Sequence, residues 1–63
     1  MNNEGQNMHI GALVKKKGTK GTIGIIIERP AIRDCWVVRW TAGPNAGKVS
    51  LHPEDTLKAR RLT

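Results

Sequence analysis

Lysine is the residue this sequence concentrates most tightly. Lys15, Lys16 and Lys17 run together, and Lys20 follows across Gly18-Thr19. Amines at this density can lie along a row of phosphates and release its condensed counterions, or seat in an acidic groove. The same lysines can equally be solvated gatekeepers that stop a strand edge from pairing. Gly18-Thr19-Lys20-Gly21 has the composition of a phosphate-gripping loop, but the Walker spacing is absent. No helix pattern follows it to present an N-terminus to a nucleotide.

A second group surrounds Pro53: His52, Glu54 and Asp55. It can be drawn as an acid–base set, yet no nucleophile accompanies it and the three residues fall in or beside a turn. Asp55 is expected to hydrogen-bond the turn backbone instead. Cys35 is the single cysteine, and with His9 and His52 it falls short of the four ligands that structural zinc takes. It reads as a small buried hydrophobe. No catalytic constellation emerges, so the expectation is a protein that is not an enzyme and needs no cofactor.

Trp36 and Trp40 are the only aromatic residues. Four apart on a strand, they share a face with Val38, which makes the core their default place. The alternative is that Trp40, at the strand end, stacks on a base. Without Tyr or Phe, the aromatic groove that takes Pro-rich peptides cannot be built.

Eleven Lys and Arg stand against five Asp and Glu, a formal charge of +6 on 63 residues. Such a field draws polyanions or acidic protein surfaces, although charge of either sign also serves solubility. Beyond the lysine run, Arg29, Arg33, Arg39 and Lys48 are the candidate contacts, with Arg60-Arg61 as a basic tail. With one cysteine, a reducing, cytoplasmic compartment is expected. No apolar run is long enough to span a membrane. Residues 1–8 are polar, include Glu4, and are expected to be a disordered lead-in to one domain over residues 9–63.

What must position these groups is a set of strands, because alternation recurs and no helical stripe does. The expected strands run from about Ile10 to Lys16, Thr22 to Glu28, Cys35 to Trp40, around Val49–Leu51, and Leu57 to Arg61. Within them Leu13 or Val14, then Ile23, Ile25 and Ile27, Trp36, Val38 and Trp40, Val49 and Leu51, and Leu57 and Ala59 are expected to face inward. Gly18–Gly21 and Gly43–Gly47 should be tight turns. Arg29–Asp34 should be a longer connection, and Gly24 marks a bend or a close backbone approach. The segment from His52 to Leu57 suits one turn of 3₁₀ helix. That order describes an all-β, small five-stranded SH3-like barrel with a short 3₁₀ turn before the last strand, whose closure should remove exposed edges.

The run from Gly11 to Ile26 resembles the KOW motif of ribosomal proteins and elongation factors, with Gly21, Ile23, Gly24 and Ile26 in the matching places. The resemblance implies an SH3-like barrel that touches RNA or partner proteins. Val14–Gly18, Val49–Pro53 and Leu57 are similar in layout to the plasmid-encoded type II dihydrofolate reductases, which are tetrameric SH3-like barrels. Ser50 and His52 stand where that family has Gln and Tyr, so the likeness extends to fold and not to activity. Small basic barrels of this type also resemble bacteriophage products. The expected function is a binding module that engages nucleic acid or a nucleic-acid-associated complex through the Lys15–Lys20 hairpin. The alternative is an interaction module that docks on an acidic surface of an enzyme such as a polymerase, and an oligomeric reductase is the distant third.

Overall fold

The computed structural model describes residues 8–60. Residues 1–7 of the expected lead-in and the Arg61 part of the basic tail lie outside the described residues; Met8, the last residue of that lead-in, instead packs in the core at 8% exposure. Five strands follow in order: β1 (Leu13–Lys16), β2 (Ile23–Glu28), β3 (Cys35–Ala42), β4 (Val49–Pro53) and β5 (Leu57–Ala59). A single 3₁₀ turn, Glu54–Thr56, stands between β4 and β5. All pairings are antiparallel, in the order β4-β3-β2-β1-β5. This is a small all-β, barrel-like domain.

The turns form where glycine permits them. Gly18 and Gly21 have φ of +80° and +75°, a region that side-chain-bearing residues avoid, and they fold β1 back onto β2. Pro53 precedes the 3₁₀ turn in extended conformation, and Thr56 Oγ1 donates to Pro53 O at 2.7 Å to close it. The closing side chain is therefore that of Thr56, the residue after Asp55.

One face of the sheet holds the core. Val14, Ile26 and Val38 are fully buried, Trp40 and Leu57 nearly so, and Trp36, Ala59, Ala12 and Met8 complete the cluster. Trp36, Val38, Trp40, Leu57 and Ala59 face inward as their spacing indicates, while Arg39 is exposed.

Two strands turn the other way. On β2 the inward residues are Gly24 and Ile26; Ile23 and Ile25 are half-buried and Ile27 is exposed. The reason lies at Gly24, paired with Trp40 across the sheet. A Cβ there would come within 2.5 Å of Val38 Cγ1 and 2.9 Å of the Trp40 ring. Glycine faces inward because two large side chains occupy the space, and parity then places its isoleucine neighbours outside. On β4, Val49 and Leu51 are 50% and 46% exposed, and Ser50 and His52 point inward. There the indole of Trp40 needs a hydrogen-bond acceptor, and Ser50 supplies it. The expected removal of edges is also not realised: β4 and β5 end the sheet on opposite sides and are not neighbours in it.

Candidate nucleic-acid interface

The outer face is the one turned away from the core. On β1, Val14 is buried, so Leu13 and Lys15 point outward; on β3, opposite Val38 and Trp40, so does Arg39. Cross-strand register then fixes their neighbours. Lys15 faces Ile23 on β2 and Lys58 on β5, and Arg39 sits between Ile25 and Val49. Arg39 and Lys15 are thus two strands and two residues apart, roughly 12 Å at about 4.8 Å per strand and 3.4 Å per residue.

Where β1, β2 and the end of β5 meet there is an open cleft of about 300 Å³ lined by Lys15, Gly21, Ile23 and Arg60. Arg60 is held beside it because its N–H donates to Leu13 O at 2.9 Å. The cleft combines a lysine, an arginine and a glycine backbone around one apolar side chain, with no carboxylate among the described residues that line it. Lys20, exposed on the adjoining turn, precedes Gly21.

Two larger clefts differ in charge. One of about 600 Å³ is lined by Lys17 and Arg33 but also by Asp34, Glu54 and Asp55. Another, of about 390 Å³, brings Arg29 and Arg33 together with Asp34 and Glu54. Their acids gather because Glu54 N–H donates to Asp34 O at 2.7 Å, tying the β2–β3 connection to the 3₁₀ turn. Asp34 takes φ +58° to present that carbonyl, a conformation aspartate tolerates. Its ion pair with Arg33 at 3.9 Å joins two highly exposed side chains and contributes little. Arg29 lies over the Trp36 ring at 5.6 Å, while Trp36 Nε1 donates to Glu54 Oε1 at 3.0 Å.

The sequence-predicted contacts therefore separate. Lys15 and Arg39 share the outer face, Lys20 adjoins it, and Lys48 is exposed beside the β3–β4 turn. Lys16 has the opposite parity to Lys15 and turns to the inner side, where its charge acts on His52. Lys17, Arg29 and Arg33 belong to the clefts that contain acids. Trp40 is 1% exposed and belongs to the core. Arg60 is the contact that the sequence reading set aside as solvated tail. Its position two residues beyond Lys58 on an alternating strand was the available signal.

The polar residues around Pro53 do not converge on a reaction centre. Trp40 Nε1 donates to Ser50 Oγ at 3.0 Å, and Ser50 Oγ and His52 Nε2 share a hydrogen bond of 2.7 Å whose direction follows the imidazole tautomer. His52 also meets the Trp40 ring edge-on, centroids 5.0 Å apart. Burial, with the Lys16 charge second, pushes its pKa below the ordinary imidazole value of 6.5. A neutral ring is the form this arrangement favours. Among the described residues no group of three His, Cys, Asp or Glu could hold a metal ion. None of their helices is long and apolar enough to cross a membrane.

Comparison with known protein families, with characterised proteins and with solved structures finds no match to this chain.

Proposed function

We propose that this protein is a nucleic-acid-binding module that grips phosphates on the outer face of its sheet. The contacts are Lys15 and Arg60 in the β1–β2–β5 cleft, Lys20 on the adjoining turn and Arg39 two strands away. The observation behind this reading is the segregation of charge: the Lys15–Arg60 cleft has no acid among the described residues that line it, whereas the clefts near the 3₁₀ turn have two or three acids each. An anion approaching the first meets cations alone, and each neutralised phosphate releases counterions. The strand order and the 3₁₀ turn before β5 fit an SH3-like barrel, and the likeness of residues 11–26 to the KOW motif supports the same ligand class.

Both indoles are buried and hydrogen-bonded internally, so the chain offers no aromatic platform for unstacked bases. Binding through phosphates positions a protein on nucleic acid without reading its sequence. Duplexes of unrelated sequence should therefore bind alike.

The alternative ligand is a carboxylate-rich protein surface, which the same cations would attract. Fluorescence anisotropy with a labelled duplex, competed with unlabelled duplex and with polyglutamate, separates the two. Displacement by duplex at far lower concentration than polyglutamate at equal charge is expected. Equal displacement by both would overturn the assignment to nucleic acid.

A further inference from the structure

Trp40 N–H donates to Lys48 O at 2.9 Å and Trp40 O accepts from Gly47 N–H at 2.7 Å, so Trp40 makes its ladder hydrogen bonds across a bulge at Gly47-Lys48. Hydrogen-bonded pairs alternate along the ladder from there, so Ser50 and His52 also turn their backbone groups toward β3. Val49 and Leu51 then turn their N–H and C=O groups away from it, to the open side of β4. Pro53 occupies the next position of this alternation, where a missing N–H removes nothing from the ladder. Among the described residues, the sheet places no strand on that side of β4. Strand edges are ordinarily blunted by a charge, a bulge or a proline within them. Here Lys48 and the outward-facing Pro53 stand only at the two ends, and the outward residues between them, Val49 and Leu51, are apolar and about half exposed.

We infer that β4 is a self-pairing edge, and that its partner is the β4 of a second copy of this chain, antiparallel about a two-fold axis through Ser50. In this register Val49 of one copy faces Leu51 of the other, and each such pair exchanges both of its N–H···O bonds. The outer face then gains a continuous row of four apolar side chains. Charge argues for a second copy: Lys48 directly precedes β4 and Glu54 directly follows it, so its reversal is self-complementary. Lys48 lies across from His52 of the second copy and diagonal to its Glu54, within reach of a long side chain. Arg39 stays one strand back on each copy and the two are offset by two residues, so their Cα atoms are about 16 Å apart at three strand spacings. That exceeds the screening length of about 8 Å at physiological salt. Stacking the two outer faces instead would set Arg39 against Arg39. The contact is isologous and closes as a dimer.

Sedimentation of the nuclease-treated full chain in high salt, which suppresses bridging by nucleic acid, should show a mass rising with concentration toward twice 6.9 kDa. Leu51→Pro deletes an outward N–H without touching the ladder, and Leu51→Lys blunts the same edge while keeping the backbone intact. Each should remain monomeric, with the parent's circular dichroism and, at dilutions that exclude association, the parent's melting curve. In a Cys35→Ser background, Val49→Cys with Leu51→Cys should oxidise to a covalent dimer, and Val49→Cys alone should do so far more slowly. A chain that stays monomeric at every concentration would overturn the inference. So would a folded Leu51→Lys chain that associates as the parent does, or cross-linking by the single cysteine as fast as by the pair.

Discussion

Among the described residues β4 and β5 each pair on one side only, and they meet that exposure with different residues. β5 is three residues long, turns Leu57 and Ala59 into the core, and offers Lys58 and then Arg60 to solvent. β4 is five residues long, turns Ser50 and His52 inward, and offers Val49 and Leu51 to solvent. The short, charged edge resists another strand and suits an anion; the longer apolar edge suits another strand and repels nothing. In a sheet this small the two ends can thus serve different partners. What separates them is the parity that β3 imposes, because Trp40 requires both a glycine beside it on β2 and a hydroxyl beneath it on β4.

Removing that common support should erase the contrast. Trp40→Ala takes away a side chain 1% exposed, with the indole donor to Ser50 and the edge-on contact with His52. A loss of about 3–5 kcal/mol is expected, comparable to the whole stability of a domain of this size. Urea denaturation followed through Trp36 fluorescence would show the midpoint collapse, and a change under about 1 kcal/mol would refute this role.

A smaller effect sharpens the difference between the inner and outer faces. Ile26→Ala, at a fully buried site, should cost about 2–5 kcal/mol, whereas Leu51→Ala, 46% exposed, should shift a monomer by no more than about 0.5 kcal/mol. Melting curves at dilutions that exclude association would show this, and equal losses at both sites would mean β4 is packed from both sides.

The smallest expected effect is in pH. His52 has a folded-state pKa below its unfolded value, so between the two the unfolded chain binds more protons. Stability is then full above about pH 6.5, the ordinary imidazole value, and declines as pH falls through it toward the folded pKa. Denaturation at a series of pH values should show this decline, and His52→Gln should remove it. A decline of equal size in that variant would assign it to other groups.

Much of the fold was legible because β3 permits one reading. Trp36, Val38 and Trp40 alternate with Arg39, and no other parity buries two indoles. β5 was legible for the same reason, with Leu57 and Ala59 against Lys58. β2 was not, since Ile23, Ile25, Ile26 and Ile27 supply apolar groups to both faces and hydrophobicity alone cannot choose between them. The deciding residue was Gly24, whose inward place depends on side chains fourteen and sixteen positions away in sequence, Val38 and Trp40. β4 misled in the opposite sense: its apolar residues are the exposed ones because the core there needed a hydroxyl more than a methyl group. The lysine run named the right charge and only part of the surface, since adjacent residues on a strand face opposite ways. Lys15 and Lys16 cannot join one patch, and Arg60 reaches the cleft through pairing distant in sequence.

The central claim is that cations on the β1–β2–β5 side hold phosphates, and the salt dependence of duplex binding tests it most directly. Each phosphate contact contributes about 0.9 to the slope of log affinity against log salt. Lys15→Ala with Arg60→Ala should weaken binding to unrelated duplexes equally and flatten that slope by nearly two. Lys17→Ala with Arg33→Ala, at the acid-lined cleft, should leave the slope close to the parent's. A parent that shows no affinity for duplex at low salt, or a slope that flattens for the second pair and not the first, would contradict the account.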